Sequence, residues 1–475
     1  MPARKTDKKL LTGSNNTHPN RKKPFKIKQG HWLWLWLGFT GVAMLSATAG
    51  AMFAVSLSSK PFLQSRLTPD EAAVFRKGGS ISGGSMRLPE LTRPVNILVL
   101  GTKVLTSDLK EQEDLPKEQG YQALVNSFDG LTDTMLLLRF DPEAKRLAVL
   151  SIPRDTRAYV EGHGLTKINA ANYYGGPALT AKATSDLLEG VGIDRYIRVN
   201  VQGVEKLIDA LGGVTVYVPR DMKYKDDSQH LYINLKEGKQ HLDGNKALQF
   251  LRFRYDKYGD VGRIQRQQLL MRALVEQALN PTTLARVPKI LSIVQSHIDT
   301  NLSVEELVAL VSFGVQTKRS NVKMLMVPGD FNGTGQHQTS YWLPDHRRIQ
   351  QMMAQYFDQG YDEAQKVDSA YVRVAIQDST GDTQAVQSMV RTLQKAGYNN
   401  VRVDDAWREP LPVTRIVAQQ GDDSSAAAIR DSLGFGEVRV ESTGSLTSDV
   451  TIQLGKDWLQ KQQSSETSGK GLLSF

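Results

Sequence analysis

Cysteine is missing from all 475 residues. That excludes disulfides, thiolate zinc sites and a cysteine nucleophile, but it excludes no cellular compartment. Histidine is scarce at eight residues. No His-Glu-x-x-His occurs, His163 and His241 lack metal-ligand spacing, and there is no serine–histidine constellation to supply a covalent nucleophile. The stretch Trp32–Leu57 carries no charge of either sign, and Asp7 is the lone anion before it. Those first residues hold no helix-turn-helix pattern, which argues against a DNA-binding regulator.

What is present divides sharply along the chain. The net charge is +9, yet residues 1–30 hold nine Lys and Arg against Asp7, so the remainder is nearly neutral. Such a basic segment can serve as a nucleic-acid arm, but an apolar run follows it here. A helix of roughly 20 apolar residues spans a bilayer, and 32–57 is long enough. Trp32, Trp34 and Trp36 suit the headgroup interface, and the positive flank predicts a cytoplasmic N-terminus. The alternative is a cleaved secretory signal ending near Ala47-Thr48-Ala49; the long basic leader and the full-length span favour a retained anchor. Either way the rest of the chain is extracytoplasmic, periplasmic or at the cell surface, with no nucleic acid as partner.

The resulting organisation is a basic cytoplasmic tail (1–31), a transmembrane anchor (32–57) and a flexible linker (58–91) containing "RKGGSISGGS". Two folded parts follow, 92–360 and 370–458, then a polar tail (459–475) expected to be disordered. At 40% hydrophobic residues the chain can bury a real core. "PVNILVLG" reads as a buried strand, and "TMLLLRF" and "RLAVLSI", joined by "DPEAK", as a hairpin. Helical patterning covers Gly175–Leu188 and Val204–Leu211, "VTVYV" is a strand stopped by Pro219, and Asp243 is placed to cap a helix. "VKMLMV" is expected to join the same sheet. The fold class is therefore α/β, a layered sheet with flanking helices. From Tyr371 a strand–helix–strand order occurs twice, suggesting a small α/β module with a duplicated βαβ pattern. Its loops "DSTGD" and "GDDSS" precede helix starts, where they either hold an anion or simply cap the helix.

The densest charge lies in "LRFRYDKYGDVGRIQRQQ". If the segment is extended, Arg252 and Arg254 share a face. Arg263, Arg266 and Gln267 fall at i, i+3 and i+4 on a helix face. Arginine forks suit phosphate oxygens because they are planar, bidentate and permanently charged; with Asp256 and Asp260 nearby, a surface salt-bridge network is the plain alternative. Arg154 and Asp155 follow a strand in "SIPRDT", Asp133 opens its hairpin partner in "LTDTM", and "TKINAANYYGG" adds Lys167 and Asn169. Loops at sheet ends commonly carry function.

Taken in order, DTM, SIPRDT, KINAANYYGG, LDGNKALQFLRFR and GRIQRQQ resemble the LytR-CpsA-Psr family of extracytoplasmic phosphotransferases, strongly over 95–280 and more weakly to about 356. Residues 370–458 resemble the C-terminal domain that often accompanies it. The resemblance implies transfer of a phosphosugar or phosphoglycopolymer from a polyprenyl (undecaprenyl-type) pyrophosphate carrier to a peptidoglycan hydroxyl at the membrane, with polyprenyl monophosphate leaving. By motif position it implies that Arg154, Arg252, Arg254, Arg263 and Gln267 surround the pyrophosphate, with Arg266 on the same helix. Asp133 holds Mg²⁺, with Mn²⁺ as a substitute, or orients it through water. Lys167 and Asn169 line the head-group pocket, and Asp155 orients Arg154. Asp133 and Asp155 are the candidates for general base.

One position departs from the family, which carries an Asp two residues after the first strand's Gly. Here that residue is Lys103. A lysine there substitutes for metal charge by pairing with phosphate, or Asp108 or Asp129 reaches in from the insertion before Asp133. The apolar residues of "SDLLEGVGIDRYIRVNVQGVEKLIDAL" either line a lipid slot or pack as ordinary core. Two alternatives keep the fold: a non-catalytic polyprenyl-pyrophosphate-binding envelope scaffold, which Lys103 favours, and a pyrophosphatase that uses water as acceptor.

Overall fold

A computed structural model describes residues 63–75, 80–83, 89–102, 128–227, 231–253, 259–332, 340–360, 369–419 and 421–471. The expected tail, anchor and much of the linker lie outside these residues, as do Lys103, Asp108, Arg254 and Asp256. Among the described residues no helix is long and apolar enough to cross a membrane.

The first domain is built on β1 (Val95–Thr102), β2 (Thr132–Asp141) and β3 (Arg146–Ile152). β1 and β2 pair antiparallel, as do β2 and β3, so the hairpin read from "DPEAK" forms. After β3 come a smaller hairpin, β4 (Arg157–Val160) with β5 (Gly164–Lys167), and α1 (Ala171–Leu187). α1 is broken at Gly175 and Gly176, where Gly176 takes φ 59° and Pro177 follows. With ψ at −152° the combination is one that essentially only glycine adopts. The regular run thus starts after "YYGGP", close to the helix expected from the pattern.

The chain continues through β6 (Arg195–Val199), α2 (Val201–Leu211), β7 (Val214–Val218), the hairpin β8 (Met222–Asp226) and β9 (Leu231–Leu235), β10 (Gly238–Leu242), α3 (Gly244–Arg252) and α4 (Gly259–Ala278). Asp243 caps α3 by accepting from the Lys246 amide at 2.8 Å. α5 (Val287–His297), β11 (Ile298–Thr300), α6 (Val304–Gln316), β12 (Val322–Met326), β13 (Gly329–Phe331), β14 (Trp342–Pro344) and α7 (His346–Phe357) complete the domain.

The described strands form a mixed six-stranded sheet in the order β11-β6-β1-β2-β3-β12. β12, the expected "VKMLMV" strand, is parallel to β3, and β6 is parallel to β1. Period-two alternation sends Leu98, Leu100, Met135, Leu137 and Leu150 to one face and Ile97, Leu136, Val149 and Met324 to the other. Both faces are covered, which explains why these strands read as continuous apolar runs. The residues offered as a lipid slot are core: Leu187, Leu188, Val191, Ile193 and Tyr196 pack under the first face, and Val199, Ala210 and Leu211 join a separate cluster.

The second module contains β15 (Val374–Asp378), α8 (Thr383–Lys395), β16 (Val401–Val403), β17 (Arg415–Ala418), α9 (Asp423–Leu433), β18 (Glu437–Val440), β19 (Val450–Leu454) and α10 (Lys456–Gly471). Its sheet order is β16-β15-β19-β17-β18. β15 pairs parallel with β16, and β17 parallel with β18, so two βαβ units flank the central β19. This is the duplication read from the sequence. The Asp382 side chain caps α8 by accepting from the Gln384 and Ala385 amides, and that of Asp422 caps α9 by accepting from the Ser425 amide, the simpler of the two roles open to those loops.

The polar tail departs from expectation, because α10 continues the chain as helix to Gly471. Its first turns are anchored. The Trp458 indole N–H donates to the Ala385 carbonyl at 3.0 Å, the ring stacks on Phe435, and Lys461 Nζ donates to the Leu433 carbonyl at 2.7 Å. Gln, Lys and Glu are good helix formers, so polar composition did not by itself predict disorder.

Candidate functional site: a cation cluster at the sheet end

β2 runs antiparallel to β3, which places the start of β2 beside the end of β3. This is also the carboxyl end of β1 and β6, the edge of an α/β sheet where ligands commonly bind. Asp133 stands at the start of β2, and Arg154 and Asp155 follow β3. Arg154 donates directly to the Asp133 carboxylate, and its Nε lies 3.6 Å from Asp155 Oδ1. Lys167, the last residue of β5, donates to the same Asp155 oxygen at 2.7 Å. From the first turns of α4, Arg263 reaches Asp155 Oδ2 at 3.4 Å, and the Gln267 side-chain amide reaches the Asp133 carbonyl at 3.5 Å.

Asp155 is the hub. Burial opposes its ionisation, but the Lys167 hydrogen bond and the charges of Arg154, Lys167 and Arg263 outweigh it and hold the carboxyl below the usual carboxylate range. Its main chain is also fixed: the Asp155 carbonyl accepts from the Trp342 amide at 2.9 Å. The Asp133 side chain is 31% exposed, three times as open as that of Asp155 at 10%.

Asn169 sits behind the pair. Its amide N–H donates to the Arg154 carbonyl at 3.3 Å, and its own carbonyl accepts from the Thr132 hydroxyl at 3.4 Å. The residue is 2% exposed, yet its side-chain nitrogen has no hydrogen-bond partner among the described residues. A buried donor without a partner costs free energy.

The remaining arginines differ from expectation. Arg252 is not in an extended segment: it closes α3, because the amphipathic run from Gly244 keeps its helix up to the Phe253 cap. Among the described residues it pairs with no carboxylate. Arg266, expected beside Arg263, turns instead to donate to the Phe253 carbonyl and lies over the Phe253 ring. The i, i+4 pair Arg263 and Gln267 faces Asp155 and Asp133, while the i+3 residue fastens α4 to the end of α3. Asp129 is exposed and lies 4.0 Å from Arg198. His163 stacks on Tyr174, and His241 Nε2 is 2.8 Å from the Gly212 carbonyl oxygen. No group of three or more potential metal ligands occurs among the described residues. An open depression on the β8–β9 hairpin, about 620 Å³ and lined by Lys223, Lys225 and Lys236, shares no residue with the cluster.

Two supporting features escaped the sequence reading. The Asn172 side-chain amide donates to the Phe128 and Gly130 carbonyls at 2.9 and 2.8 Å and so fixes the approach to Asp133. Its oxygen accepts from Arg198 at 3.3 Å, and Arg198 in turn is bound to Asp299 at 2.6 Å. Only the tertiary fold brings these residues together, from positions 172, 198 and 299.

Two regions of the chain match known families. Residues 70–358 match the LytR_cpsA_psr family, and residues 371–458 match the domain described as LytR cell envelope-related transcriptional attenuator. The chain is 32% identical over 230 residues to the polyisoprenyl-teichoic acid–peptidoglycan teichoic acid transferase TagV of Bacillus subtilis, covering 47% of this chain and 58% of that protein. It is 35% identical over 200 residues to the regulatory protein MsrR of Staphylococcus aureus, covering 42% and 59%. It is 29% identical over 312 residues to the transferase TagU of Bacillus cereus, covering 65% and 91%. The chain thus spans less than three fifths of the length of TagV and MsrR. The crystal structure of B. subtilis TagV aligns over 57% of this chain and 99% of that one, at 28% identity and a TM-score of 0.46. On the match over 70–358, this chain belongs to the LytR-CpsA-Psr family.

Proposed function

We propose that the chain is a phosphotransferase that moves a phosphosugar or phosphoglycopolymer from a polyprenyl pyrophosphate carrier to a peptidoglycan hydroxyl. The observation that carries this reading is the convergence of Arg154, Lys167 and Arg263, from three separate elements, at the carboxyl end of the sheet around Asp133 and Asp155. The relatives named as teichoic acid transferases support the same substrate class.

In this mechanism the acceptor oxygen forms a bond to the sugar-side phosphorus. The bridging P–O bond breaks, and its electron pair leaves on polyprenyl monophosphate. Such a reaction asks the protein mainly for positioning and for neutralising charge on the oxygens. Arg154 and Arg263 bind the phosphate oxygens and Lys167 meets the head group. Asn169 supplies a buried amide donor. The hydroxyl proton goes to Asp133, the more open of the two carboxylates; Asp155 is occupied by three cations.

Among the described residues of the cluster, Asp133 is the one that would hold a divalent ion. Mg²⁺ is held by one or two carboxylates together with substrate phosphates, and Asp133 is the carboxylate available to it here. The ion would neutralise charge on the pyrophosphate. EDTA is therefore expected to stop transfer by the full chain, Mg²⁺ or Mn²⁺ to restore it, and Asp133→Asn to lose the response. In keeping with the sequence pattern, the run 32–57 anchors the chain with the catalytic domain outside the cytoplasmic membrane.

The test mixes the full chain in detergent with a polyprenyl-pyrophosphoryl oligosaccharide, peptidoglycan fragments and Mg²⁺, followed by mass spectrometry. Phosphosugar-bearing peptidoglycan and polyprenyl monophosphate are expected, and both are absent with Arg154→Ala. Tight lipid retention without either product contradicts the enzyme reading and supports a binding scaffold.

A further inference from the structure

α4 lies between two different environments. Arg263 and Gln267, four residues apart, face the cation cluster. Gln265 and Arg272 lie on the opposite side, since with 3.6 residues per turn both sit roughly 180–200° round from Arg263. That far side meets the second module. Gln265 donates to the Gly444 carbonyl at 3.3 Å. Arg272 lies 3.8 Å from Glu441 and 3.7 Å from Glu409. Glu441 is 1% exposed and is also bound by Arg319 and by Arg439, which bring charge from both domains. Beside Arg263 itself, Ile264 is buried in one cluster with Met326, Trp342 and the module's Leu446. Trp342 is the residue whose amide holds the Asp155 carbonyl. The segment 441–446 therefore presses on the helix that carries Arg263 and on the anchor of Asp155, its ion-pair partner.

We infer that the C-terminal module is a positioning element for the anion site: through Leu446, Gly444 and Glu441 it fixes the first four turns of α4 and so the reach of Arg263. This rests on the proposed function, because it takes the cation cluster to be the pyrophosphate site. Its physical basis is that a helix held on one face only can roll or slide, and a guanidinium on its free face moves with it. A 1 Å misplacement of a binding group costs up to about a hundredfold. Release of one face is expected to cost on the order of tenfold, being a partial misplacement of this kind. Leu446 and Glu441 are positioning residues, since they act through α4 and touch no substrate.

The experiment uses the full chain in detergent and geranyl pyrophosphate as the probe. Dissociation constants are measured for wild type, Arg263→Ala, Leu446→Ser, Glu441→Gln, the charge-preserving Glu441→Asp and the distant helix-cap variant Asp382→Ala. Hydrogen exchange is followed on amides 263–268 and on β15 and β19. The expected result is weaker binding by about tenfold for Leu446→Ser and Glu441→Gln, substantial recovery in Glu441→Asp, and no change in Asp382→Ala. Faster exchange should be confined to 263–268, while β15 and β19 stay protected. Wild-type binding for Leu446→Ser and Glu441→Gln, with loss in Arg263→Ala, overturns the positioning role and leaves the site intact. Equal weakening by Asp382→Ala also overturns it, because module stability alone then governs affinity. If wild type does not bind, or Arg263→Ala binds as well as wild type, the site reading fails and takes this inference with it.

Discussion

Two charged regions of the molecule use the same residue types to different ends. At the domain junction Arg272, Arg319, Arg415 and Arg439 interlace with Glu276, Glu409, Glu437 and Glu441, one carboxylate for each guanidinium. At the sheet end Arg154, Lys167 and Arg263 gather on Asp133 and Asp155, beside the side-chain nitrogen of Asn169 with no partner among the described residues. Both regions are largely buried, with Glu276 and Glu437 exposed at the edge of the junction. A balanced network stabilises by completing itself, and removing one member leaves a buried charge uncompensated. The sheet-end cluster sets three cations on two carboxylates, and its members are expected to matter more for binding than for stability. Composition would not separate the two; placement at the carboxyl end of the strands does.

The largest expected effect follows from that contrast. Arg154→Ala should reduce transfer by roughly 100- to 1,000-fold, the range seen when a preorganised donor to transition-state charge is removed. Its unfolding free energy from urea titration should fall by less than about 1 kcal/mol, because the pair is partly open and Asp155 keeps Lys167 and Arg263. A domain that unfolds in the Arg154 variant, with binding normal in the folded remainder, would reverse the assignment of the two regions.

The junction should respond the other way. Glu441→Gln leaves Arg272, Arg319 and Arg439 around a neutral group and should destabilise by about 3 kcal/mol in urea titration. An unchanged midpoint would show that the junction is loose.

Acid should weaken paired carboxylates in both domains in the same direction. Burial opposes ionisation of Asp449, but bonds from Arg373 and the charge of Arg348 hold its carboxyl below the usual range, as the cations do for Asp155. Depressed carboxyls contribute stability that is fully present above about pH 4, the ordinary carboxylate value, and that is lost as pH falls through the depressed value. Asp449→Asn should therefore flatten the decline in stability below about pH 4. An undiminished slope would place the linkage elsewhere. The smallest effect is expected at Asp382→Ala, which removes the α8 cap at a cost of about 1 kcal/mol and leaves transfer unchanged.

Much of this was legible beforehand, for identifiable reasons. β1, β2, β3 and β12 announce themselves because both faces of the sheet are buried, and Asp243 because an N-cap is a local signal. The βαβ repeat shows because each unit has its own strand and helix periods. Arg154, Asp155, Lys167, Arg263 and Gln267 were named from motifs, and the fold places them within reach of one another. Arg266 could not be separated from them by spacing, since its direction depends on where α3 ends and offers the Phe253 carbonyl. Arg252 read as extended because its Arg-Phe-Arg alternation resembles a strand, whereas the helix from Gly244 continues through it. The junction was invisible: Gln265 meets Gly444 and Arg272 meets Glu441 across some 170 residues, and nothing local reports such a meeting.

The central claim is that a hydroxyl, rather than water, attacks the sugar-side phosphorus at the Arg154–Asp133 end of the sheet. The most direct measurement is a single turnover of the full chain in ¹⁸O-water with lipid pyrophosphoryl oligosaccharide and peptidoglycan fragments, with the products weighed. Unlabelled phosphodiester on peptidoglycan, together with polyprenyl monophosphate, is the predicted outcome. Free sugar phosphate carrying ¹⁸O, with peptidoglycan unmodified, would contradict it and make the enzyme a pyrophosphatase.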